Sequence, residues 1–385
     1  MIRISSNFDG GNIRCISAED PSNIQLEISN DNNSDVYQWF YFRITGALDQ
    51  DCILNIVNGG GVAYPDGFED YQAVASYDRE QWFRVDTVFD GKVLSIHHMP
   101  ECNSMYFAYF APYSDERHAD LICTALASPN VDLVPIGTSL DGHELDVLCI
   151  GAVEDDEDDE DEDNDKMVAW IIGRQHPGET MAEWWMEGFL GKLLDEDDPI
   201  SRELLNRFVF FVVPNMNPDG SRRGHLRMNA AGANLNREWM EPSMERSPEV
   251  FQVRELMLQT GMDFSLDVHG DEGLPYNFIA GSEGIPSWNK AHQKQLDAYK
   301  DALVTMSPDF QTEFGYDIPK PGEAVMTKAT NYFSETFGCL AMTLEMPFKD
   351  TTDTPNENEG WSPERCRKLA EANLMALYMV RDKLR

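Results

Sequence analysis

Short apolar and aromatic runs, broken by Gly, Asp, Asn and Pro, fill the first 112 positions of the chain. The clearest of them are YQWFYFRITG, CILNIVN, QAVASYD, WFRVDTVF, KVLSIHHM and MYFAYFAPY. Strands of this length, rich in aromatic and β-branched residues and separated by turn residues, are typical of a β-sandwich. Residues 1–112 are therefore predicted to form an all-β sandwich domain.

After residue 112 the apolar pattern changes, and buried strands alternate with helical segments. VLCIG, VAWIIG and RFVFFVVPN are continuous apolar runs, typical of strands that are covered on both faces. SDERHADLICTAL predicts a helix with Ser114 as its N-cap, TMAEWWMEGFLGKLL predicts a helix with one apolar face, and SPERCRKLAEANLMALYMVRDKLR predicts a long amphipathic helix. Residues 113–385 are therefore predicted to form an α/β domain in which helices flank one mixed sheet.

The chain carries 68 acidic and 30 basic residues, which give a formal net charge of −38. Such a surface repels nucleic acids and anionic membranes, so peptides or proteins are the expected partners. Eleven acidic residues lie in the run EDDEDDEDEDND at positions 154–165, and removing them changes −38 to −27, so the remaining surface is acidic as well. The run itself is predicted to be a solvated, disordered loop between the strands LDVLCIG and MVAWIIG.

Targeting signals and cysteine spacing both point to the cytoplasm. The N-terminal stretch MIRISSNFDGGNIRC lacks the apolar segment of a secretory signal, and no window of the sequence is apolar enough to predict a membrane span. The seven cysteines are odd in number, far apart and without a CxxC pair. That spacing favours reduced thiols over a disulfide framework.

Two polar clusters follow apolar strands, at the places where an α/β sheet carries its functional residues. The strand VAWIIG runs into RQHPGE, whose Pro-Gly bend lets His176 and Glu179 project to one side. A second apolar strand ends in FSLDVHGDEG, at His269. Two histidines and one carboxylate are a normal ligand set for a catalytic zinc, because the fourth position stays open for water. The three residues are therefore predicted to bind one zinc ion per chain.

A hydrolytic zinc site also requires a general base, and Glu345 in CLAMTLEMPF is the candidate. A buried carboxylate is costly unless it is paired or functional, so a single Glu in an apolar strand calls for an explanation. The alternative is a Glu on an edge strand that faces solvent.

The loop NPDGSRRGHLRMNAAGANLNREW, positions 217–239, carries four arginines: Arg222, Arg223, Arg227 and Arg237. Guanidinium groups pair bidentately with carboxylates, so this cluster predicts a site for an anion. Surface ion pairs with the acidic exterior are the alternative, and they are the preferred interpretation for Arg222 and Arg223.

Five motifs in order, HPGE, NPDG, GANLNREW, DVHG and TLEMPF, resemble those of the zinc metallocarboxypeptidases of the cytosolic carboxypeptidase branch. The stretches WFYFRITG, FAPYSDERH and IGTSLDGHELDVLCIG are also similar to that branch, so the resemblance covers nearly the whole chain. It implies a carboxypeptidase-like mixed sheet flanked by helices, preceded by the β-sandwich. It also implies hydrolysis of the C-terminal peptide bond of peptides or proteins.

The resemblance agrees with the zinc ligands named above and implies roles for four further residues. Glu345 would take the proton of the attacking water and hand it to the leaving amine. Arg227 would stabilise the oxyanion of the scissile carbonyl, and Asn236 and Arg237 would hold the terminal carboxylate of the substrate.

Two positions bear on how closely the chain follows the family. Asn234 stands where many members have an Asp that orients a zinc histidine, and this predicts weaker metal binding because an amide adds no charge. Lys328, in VMTKATNYF, lies near the place where cytosolic members carry a basic residue for an acidic terminal side chain. A preference for C-terminal Glu or Asp is therefore expected.

Two other functions stay open at the level of sequence. An acylase-type zinc amidohydrolase would use the same ligand pattern on N-acyl amino acids, although the complete NPDG to NLNREW loop and the β-sandwich count against it. A non-catalytic binding protein is the other, although zinc ligands, base and arginines are all present. The acidic run at 154–165 raises a smaller hypothesis, that it competes with acidic substrates for a basic pocket.

Overall fold

The computed structural model describes residues 1–152 and 166–384. The acidic run at 154–165, predicted to be a loop, lies outside the described residues. Within them, no helix has both the length and the apolar character that a membrane crossing requires.

Residues 1–112, all of which are described, contain ten β-strands in two sheets. In chain order the strands are β1 (Arg3–Ser5), β2 (Arg14–Ser17), β3 (Ile24–Glu27), β4 (Tyr41–Thr45), β5 (Cys52–Ile56), β6 (Val74–Ser76), β7 (Phe83–Arg84), β8 (Thr87–Phe89), β9 (Leu94–His98) and β10 (Ser104–Ala108). The sheets have the strand orders β1-β4-β10-β6-β7 and β2-β3-β5-β9-β8. The predicted all-β sandwich is confirmed.

Alternating side chains explain why the two sheets share one core. In β5, Cys52, Leu54 and Ile56 are fully buried, whereas the two residues between them are partly exposed. Successive side chains of a strand point to opposite faces, so each sheet presents one apolar face to the core. Phe42 of β4 and Phe107 of β10 are paired in register there, and their rings stack at 5.6 Å.

Residues 113–152 and 166–384 contain seven strands and eight helices. The strands are β11 (Val131–Thr138), β12 (Glu144–Ile150), β13 (Met167–Gly173), β14 (Phe208–Val213), β15 (Phe264–Asp271), β16 (Phe278–Ala280) and β17 (Leu340–Pro347). The helices are α1 (Asp115–Ala125), α2 (Met181–Leu193), α3 (Pro199–Arg207), α4 (Pro218–Arg223), α5 (Pro248–Thr260), α6 (Lys290–Met306), α7 (Ala329–Phe337) and α8 (Pro363–Val380). The strands form one sheet of mixed direction, ordered β11-β12-β14-β13-β15-β17-β16, as predicted.

Helices cover both faces of this sheet, which is why its central strands are apolar throughout. Ala169 and Ile171 of β13 pack in a core shared with α2, α6 and α8. Trp170 and Ile172, which point the other way, pack in a second core with α5 and α7. The predicted N-cap of α1 is also confirmed, because the Ser114 hydroxyl accepts the backbone N–H of the third helical residue at 3.2 Å.

Two helices differ from their predictions. α2 is buried on nearly every side instead of on one face, because the sheet, α8 and the end of the β-sandwich enclose it. Trp184 of this helix donates its indole N–H to the carbonyl of Ala111 at 2.9 Å. The C-terminal helix α8 ends at Val380, and a 3-10 turn at Arg381–Lys383 follows it.

Candidate active site

Parallel neighbours within the sheet bring the predicted site residues to one edge. β14, β13, β15 and β17 are successive parallel strands, so their carboxyl ends meet. The register sets Gly173, the last residue of β13, beside Val268, and sets His269 of β15 beside Glu345 of β17. Functional side chains about 90 residues apart in sequence are therefore neighbours in the fold.

The loop after β13 is held in one shape by its neighbours. Arg174 has a φ of +55°, and its guanidinium donates to the Pro177 carbonyl at 3.0 Å and to the carboxylate of Glu183. Gly178 packs so closely against Leu226 that an added Cβ would lie 2.9 Å from the Leu226 carbonyl oxygen. These contacts fix the bend between β13 and α2, which carries two of the predicted zinc ligands.

The three predicted zinc ligands meet in one buried cluster. His176 Nδ1 lies 2.7 Å from Glu179 Oε1, His269 Nδ1 lies 2.7 Å from Glu179 Oε2, and the two Nδ1 atoms are 3.2 Å apart. All three side chains are buried. Two imidazole nitrogens and a carboxylate that converge out of contact with solvent are a donor set that suits zinc. The residues present therefore fit the metal.

The outer nitrogen of each histidine has its own partner. His269 Nε2 lies 2.9 Å from Asp267 Oδ2, which also accepts a hydrogen bond from Gln175 Nε2 at 2.7 Å. His176 Nε2 lies 3.1 Å from Asn234 Oδ1. Partners of this kind fix the ring orientation and tautomer of metal-binding histidines. A carboxylate supports one histidine, whereas an uncharged amide supports the other.

The charges around the cluster act differently on its members. Burial, with help from the Arg227 charge, lowers the pKa of His176 to about 3 and keeps the ring neutral, the form that binds metals. Burial raises the pKa of Glu179, but the two histidines outweigh burial and hold that pKa below its usual range. Burial lowers the pKa of His269, but Asp267 and Glu179 outweigh it and raise the pKa well above the usual value.

Glu345 lies beside His269 on the neighbouring strand and is 7% exposed. β16 pairs with the outer side of β17, so the alternative of a solvent-facing edge strand is wrong. Glu345 Oε1 accepts a hydrogen bond from the Tyr316 hydroxyl at 3.1 Å, whereas Oε2 is buried without a hydrogen-bond partner among the described residues. Burial raises the pKa of Glu345 well above its usual value, although His269 opposes this. A carboxyl group of this kind is suited to proton transfer.

The three predicted cations, Arg227, Arg237 and Lys328, lie close to one another. The charge of Glu345 acts on two of them, Arg227 and Lys328. Partial burial and the charge of the neighbouring Arg227 lower the pKa of Arg237. Burial also lowers the pKa of Lys328, on which the charges of Arg237, Glu345 and Arg227 act as well. Within the described part of the chain, none of the three cations forms an ion pair with a carboxylate, although the protein is strongly acidic. Their charges are therefore available to an anion.

Asn236 and Arg237 hold different positions although they are adjacent. Asn236 is buried between His269 and α7: its Oδ1 accepts the Ala329 N–H at 2.9 Å, and its Nδ2 lies 3.4 Å from His269 Nε2. Arg237 is exposed, and its Nη1 donates to the Asn236 carbonyl at 2.6 Å. The remaining guanidinium donors of Arg237 make no hydrogen bond to a described residue.

The preferred interpretation of Arg222 and Arg223 as surface ion pairs is confirmed. Arg222 makes a bidentate pair with Asp115 at 2.9 and 2.5 Å, and Arg223 makes one with Asp141 at 2.9 and 2.7 Å. Both arginines are exposed. They do not belong to the anion site.

Four residues that support the site were not among those predicted from the sequence. Asp267 supports His269, Tyr316 bonds to Glu345, and Asp31 and Tyr64 reach the site from the β-sandwich domain. A signal for Asp267 was present, because it lies two residues before His269 and strand side chains alternate with period 2. No local pattern identifies the other three, since their contacts join distant parts of the chain.

Family models match both parts of the chain. The model described as the cytosolic carboxypeptidase N-terminal domain matches residues 4–110, and the model described as zinc carboxypeptidase matches residues 121–363.

Individual relatives match the chain over its full length. The chain is 48% identical to an uncharacterized protein of Zymomonas mobilis over 383 residues, which cover 100% of this chain and 97% of that one. The crystal structure of a metallo-carboxypeptidase from Burkholderia cenocepacia is similar with a TM-score of 0.95 at 47% identity, covering 99% of this chain and 100% of that one. A metallo-carboxypeptidase from Pseudomonas aeruginosa, in complex with (2-guanidinoethylmercapto)succinic acid, has a TM-score of 0.95 at 42% identity and full coverage of both chains, 100% of each.

A buried His-Glu-His cluster at the carboxyl ends of parallel strands, a buried glutamate beside it, and these matches agree with one another. The chain belongs to the zinc carboxypeptidase family and is a metallocarboxypeptidase, a hydrolase of peptide bonds, with the N-terminal domain of the cytosolic carboxypeptidases.

Proposed function

We propose that this enzyme removes the last residue of a peptide or protein and prefers a C-terminal Glu or Asp. The proposed residues are His176, Glu179 and His269 for one zinc ion per chain, Glu345 and Arg227 for catalysis, and Asn236, Arg237 and Lys328 for the C-terminal residue. The sequence motifs and the geometry described above support these assignments.

The observation that carries the proposal is the environment of Glu345. Its Oε2 is buried without a partner among the described residues, beside His269 and close to cations that have no ion pair. A buried polar atom without a partner reduces stability by about 1–3 kcal/mol. Because the fold keeps this atom beside the predicted zinc ligands despite that cost, we infer that Glu345 has a catalytic role.

The residues of the chain divide the reaction between them. His176, Glu179 and His269 would hold the zinc ion, which would supply Lewis acidity to a water molecule and to the carbonyl of the substrate. Glu345 accepts the proton of the attacking water and then gives it to the leaving amine. Arg227 donates to the carbonyl oxygen as negative charge develops there. Arg237 pairs with the terminal carboxylate, so only the last peptide bond reaches Glu345.

The proposed preference for an acidic C-terminal residue rests on the presence of three cations, one more than the carbonyl and the terminal carboxylate require. Arg227 and Arg237 serve the carbonyl and the terminal carboxylate, which leaves the charge of Lys328 for a side-chain carboxylate. The compound bound to the Pseudomonas aeruginosa relative is a succinic acid, with two carboxylates, that also carries a guanidine group. Its two carboxylates agree with an acidic terminal residue, whereas its guanidine makes C-terminal Arg a necessary comparison.

The proposal is tested with peptides that differ only in their last residue, namely Glu, Asp, Leu and Arg. The zinc-loaded protein is incubated with each peptide, and mass spectrometry follows the loss of single residues. We expect the fastest loss from the peptides that end in Glu or Asp. The matched control is Glu345→Gln, which should bind zinc as the wild type does but cleave about 10²–10⁴-fold more slowly, because it removes the proton acceptor.

Each outcome discriminates between hypotheses. If no peptide is shortened, the exopeptidase proposal is wrong, and an N-acyl amino acid assayed in parallel reports whether the protein is an acylase instead. Cleavage by Glu345→Gln at the wild-type rate would remove Glu345 from the mechanism. Fast release of Arg with slow release of Glu would remove the acidic preference and leave the exopeptidase activity in place.

Two further features belong to the proposal. The chain divides near residue 112 into a β-sandwich domain, 1–112, and a catalytic domain, 113–385, which agrees with family matches that end at residue 110 and resume at residue 121. The enzyme works in the cytoplasm, where its seven cysteines, all free in the structure, would stay reduced.

A further inference from the structure

Asp31, in the β-sandwich domain, holds the backbone of the segment that carries Arg227. Its carboxylate is 2% exposed and accepts three backbone N–H groups, from Leu226 at 2.7 Å, Arg227 at 2.8 Å and Met228 at 2.9 Å. Hydrogen bonds to a carboxylate are about twice as strong as those between neutral groups. A side chain 196 residues away from Arg227 in sequence therefore fixes three consecutive peptide groups.

This segment depends on support from outside itself. Residues 224–234, all of them described, contain no helix or strand, so regular backbone pairing does not hold them in place. The β-sandwich domain supports the segment at two further points. Asn12 Nδ2 donates to the Gly224 carbonyl at 2.9 Å, and the Asn32 N–H donates to His225 Nε2 at 3.2 Å.

The guanidinium of Arg227 also contacts the β-sandwich domain. Its central carbon lies 5.5 Å from the centre of the Tyr64 ring, the distance of a cation–π contact. Gln38, which is fully buried, holds the backbone of Tyr64 through two hydrogen bonds: its Nε2 donates to the Tyr64 carbonyl at 3.0 Å, and its Oε1 accepts the Tyr64 N–H at 2.8 Å. A fixed aromatic ring therefore lies against the guanidinium of Arg227, on which the charges of Glu272, Glu179 and Glu345 also act.

We propose that the β-sandwich domain is part of the catalytic apparatus, with Asp31 and Tyr64 as positioning residues that aim Arg227 at the scissile carbonyl. This inference rests on the proposed function. A donor to an oxyanion is effective only when it is in place before the charge develops. A misplacement of about 1 Å can cost about 10²-fold in rate. The β-sandwich domain thus sets the geometry of Arg227 from a separate part of the chain.

The first test compares kcat and KM of Asp31→Asn with those of the wild type on the peptide that the wild type shortens fastest. Asn has the same shape but presents an NH₂ group to one side of the three backbone N–H groups, so at least one of the hydrogen bonds to Leu226, Arg227 and Met228 is lost. We expect kcat to fall by about 10- to 100-fold while KM changes by less than about threefold. Asp90→Asn is the matched control, because Asp90 accepts the N–H groups of Lys92 and Val93 at 2.8 and 2.7 Å in a distant turn of the same domain. That variant should keep the wild-type rate.

Two substitutions of Tyr64 keep the test decisive if Asp31→Asn does not fold. Tyr64→Phe retains the ring and should act within about twofold of the wild type. Tyr64→Leu removes the π face and should lower kcat by about threefold to tenfold. Equal kcat values for the two variants would overturn the role of Tyr64.

A double-mutant cycle separates positioning from a general loss of stability. Arg227→Ala has no guanidinium to aim, so adding Asp31→Asn to it should lower kcat by no more than about twofold further. If Asp31→Asn lowered kcat by the same factor in Arg227→Ala as in the wild type, the proposal would be wrong, because Asp31 would then act through another group.

Hydrogen exchange provides a readout that does not require peptidase activity. In Asp31→Asn the amides of Leu226, Arg227 and Met228 should exchange faster, while the amides of β5 keep their wild-type protection. Unchanged exchange in the segment would show that Asp31 does not hold its backbone in place. If the wild type shortens no peptide and exchange still responds, the failure belongs to the proposed function and not to the contact between Asp31 and the segment.

Discussion

Four arginines between residues 217 and 239 end in two different environments. Arg222 and Arg223 are exposed, and each makes a bidentate ion pair with an aspartate. Arg227 and Arg237 make no ion pair with any described carboxylate and lie close to each other and to the buried catalytic edge of the sheet. The same residue type, in one loop, thus has two kinds of surroundings.

The comparison shows what determines whether an arginine is available to a ligand. The chain has 68 acidic residues against 30 basic ones, so carboxylate partners are abundant. Arg227 forms no ion pair with a described carboxylate; Asp31 binds its backbone, and Tyr64 lies against its guanidinium. Burial lowers the pKa of Arg227, but Tyr64 and the carboxylates of Glu272, Glu179 and Glu345 outweigh burial and raise it. Arg237 donates to a backbone carbonyl instead. Tertiary contacts, and not residue type, therefore decide which arginines of this loop form ion pairs.

Among substitutions of these arginines, Arg227→Ala is expected to have the largest effect on the rate of peptide cleavage. Removing one donor to an oxyanion costs about 10²–10³ in kcat, and KM should change little because the donor acts mainly in the transition state. Steady-state kinetics on the preferred peptide, with zinc content measured in parallel, checks this. A kcat within about threefold of the wild type would show that Arg227, like the ion-paired Arg222 and Arg223, has no role in catalysis.

Arg237→Ala should act mainly on KM. Loss of the partner of a bound carboxylate costs about 2 kcal/mol or more, so KM should rise by roughly tenfold to a hundredfold with a smaller change in kcat. The measurement is a KM and kcat pair on the same peptide, with Arg227→Ala as the contrasting variant. A pure kcat effect would show that Arg237 does not bind the terminal carboxylate.

Lys328→Ala should change specificity with a smaller effect on rate. A half-buried ion pair contributes about 1 kcal/mol, so the ratio of kcat/KM for C-terminal Glu to that for C-terminal Leu should fall by about threefold to tenfold. The same two peptides assayed with wild type give the reference. An unchanged ratio would remove Lys328 from the specificity pocket while leaving the rest of the mechanism intact.

Arg222→Ala and Arg223→Ala should have the smallest effects. Exposed ion pairs contribute about 0–1 kcal/mol, so kcat/KM should stay within about twofold of the wild type and thermal stability should change only slightly. These two variants are matched controls for the substitutions of Arg227 and Arg237. A large loss of activity in either would abolish the distinction between the two pairs.

The cluster of predicted zinc ligands was predictable because its signals are local. His176, Glu179 and His269 each follow an apolar strand, and parallel strands of one sheet bring their carboxyl ends together. The structure brings the three side chains within hydrogen-bond distance of one another. Glu345 was predictable for the same reason, as one charged residue in an apolar strand.

The support that the β-sandwich domain gives the site was not predictable from local patterns. Asp31 lies in a polar stretch, SNDNNSD, that resembles an ordinary turn, and its function depends on a segment 195 to 197 residues later in the chain. Tyr64 likewise meets Arg227 only in the folded protein. The extent of burial of α2 also exceeded its one-faced pattern, because the β-sandwich packs against it. Contacts between distant parts of the chain leave no periodicity in either part.

We propose that Arg237, which has no ion pair with a described carboxylate, selects the free C-terminus of the substrate. The direct test is kcat/KM for one peptide ending in Glu and for the same peptide with an amidated C-terminus, in wild type and in Arg237→Ala. We expect amidation to lower the wild-type value by at least about tenfold and to change the Arg237→Ala value by much less, because the charge that binds the carboxylate is already absent. Equal cleavage of the acid and the amide by the wild type would show that the terminal carboxylate is not recognised.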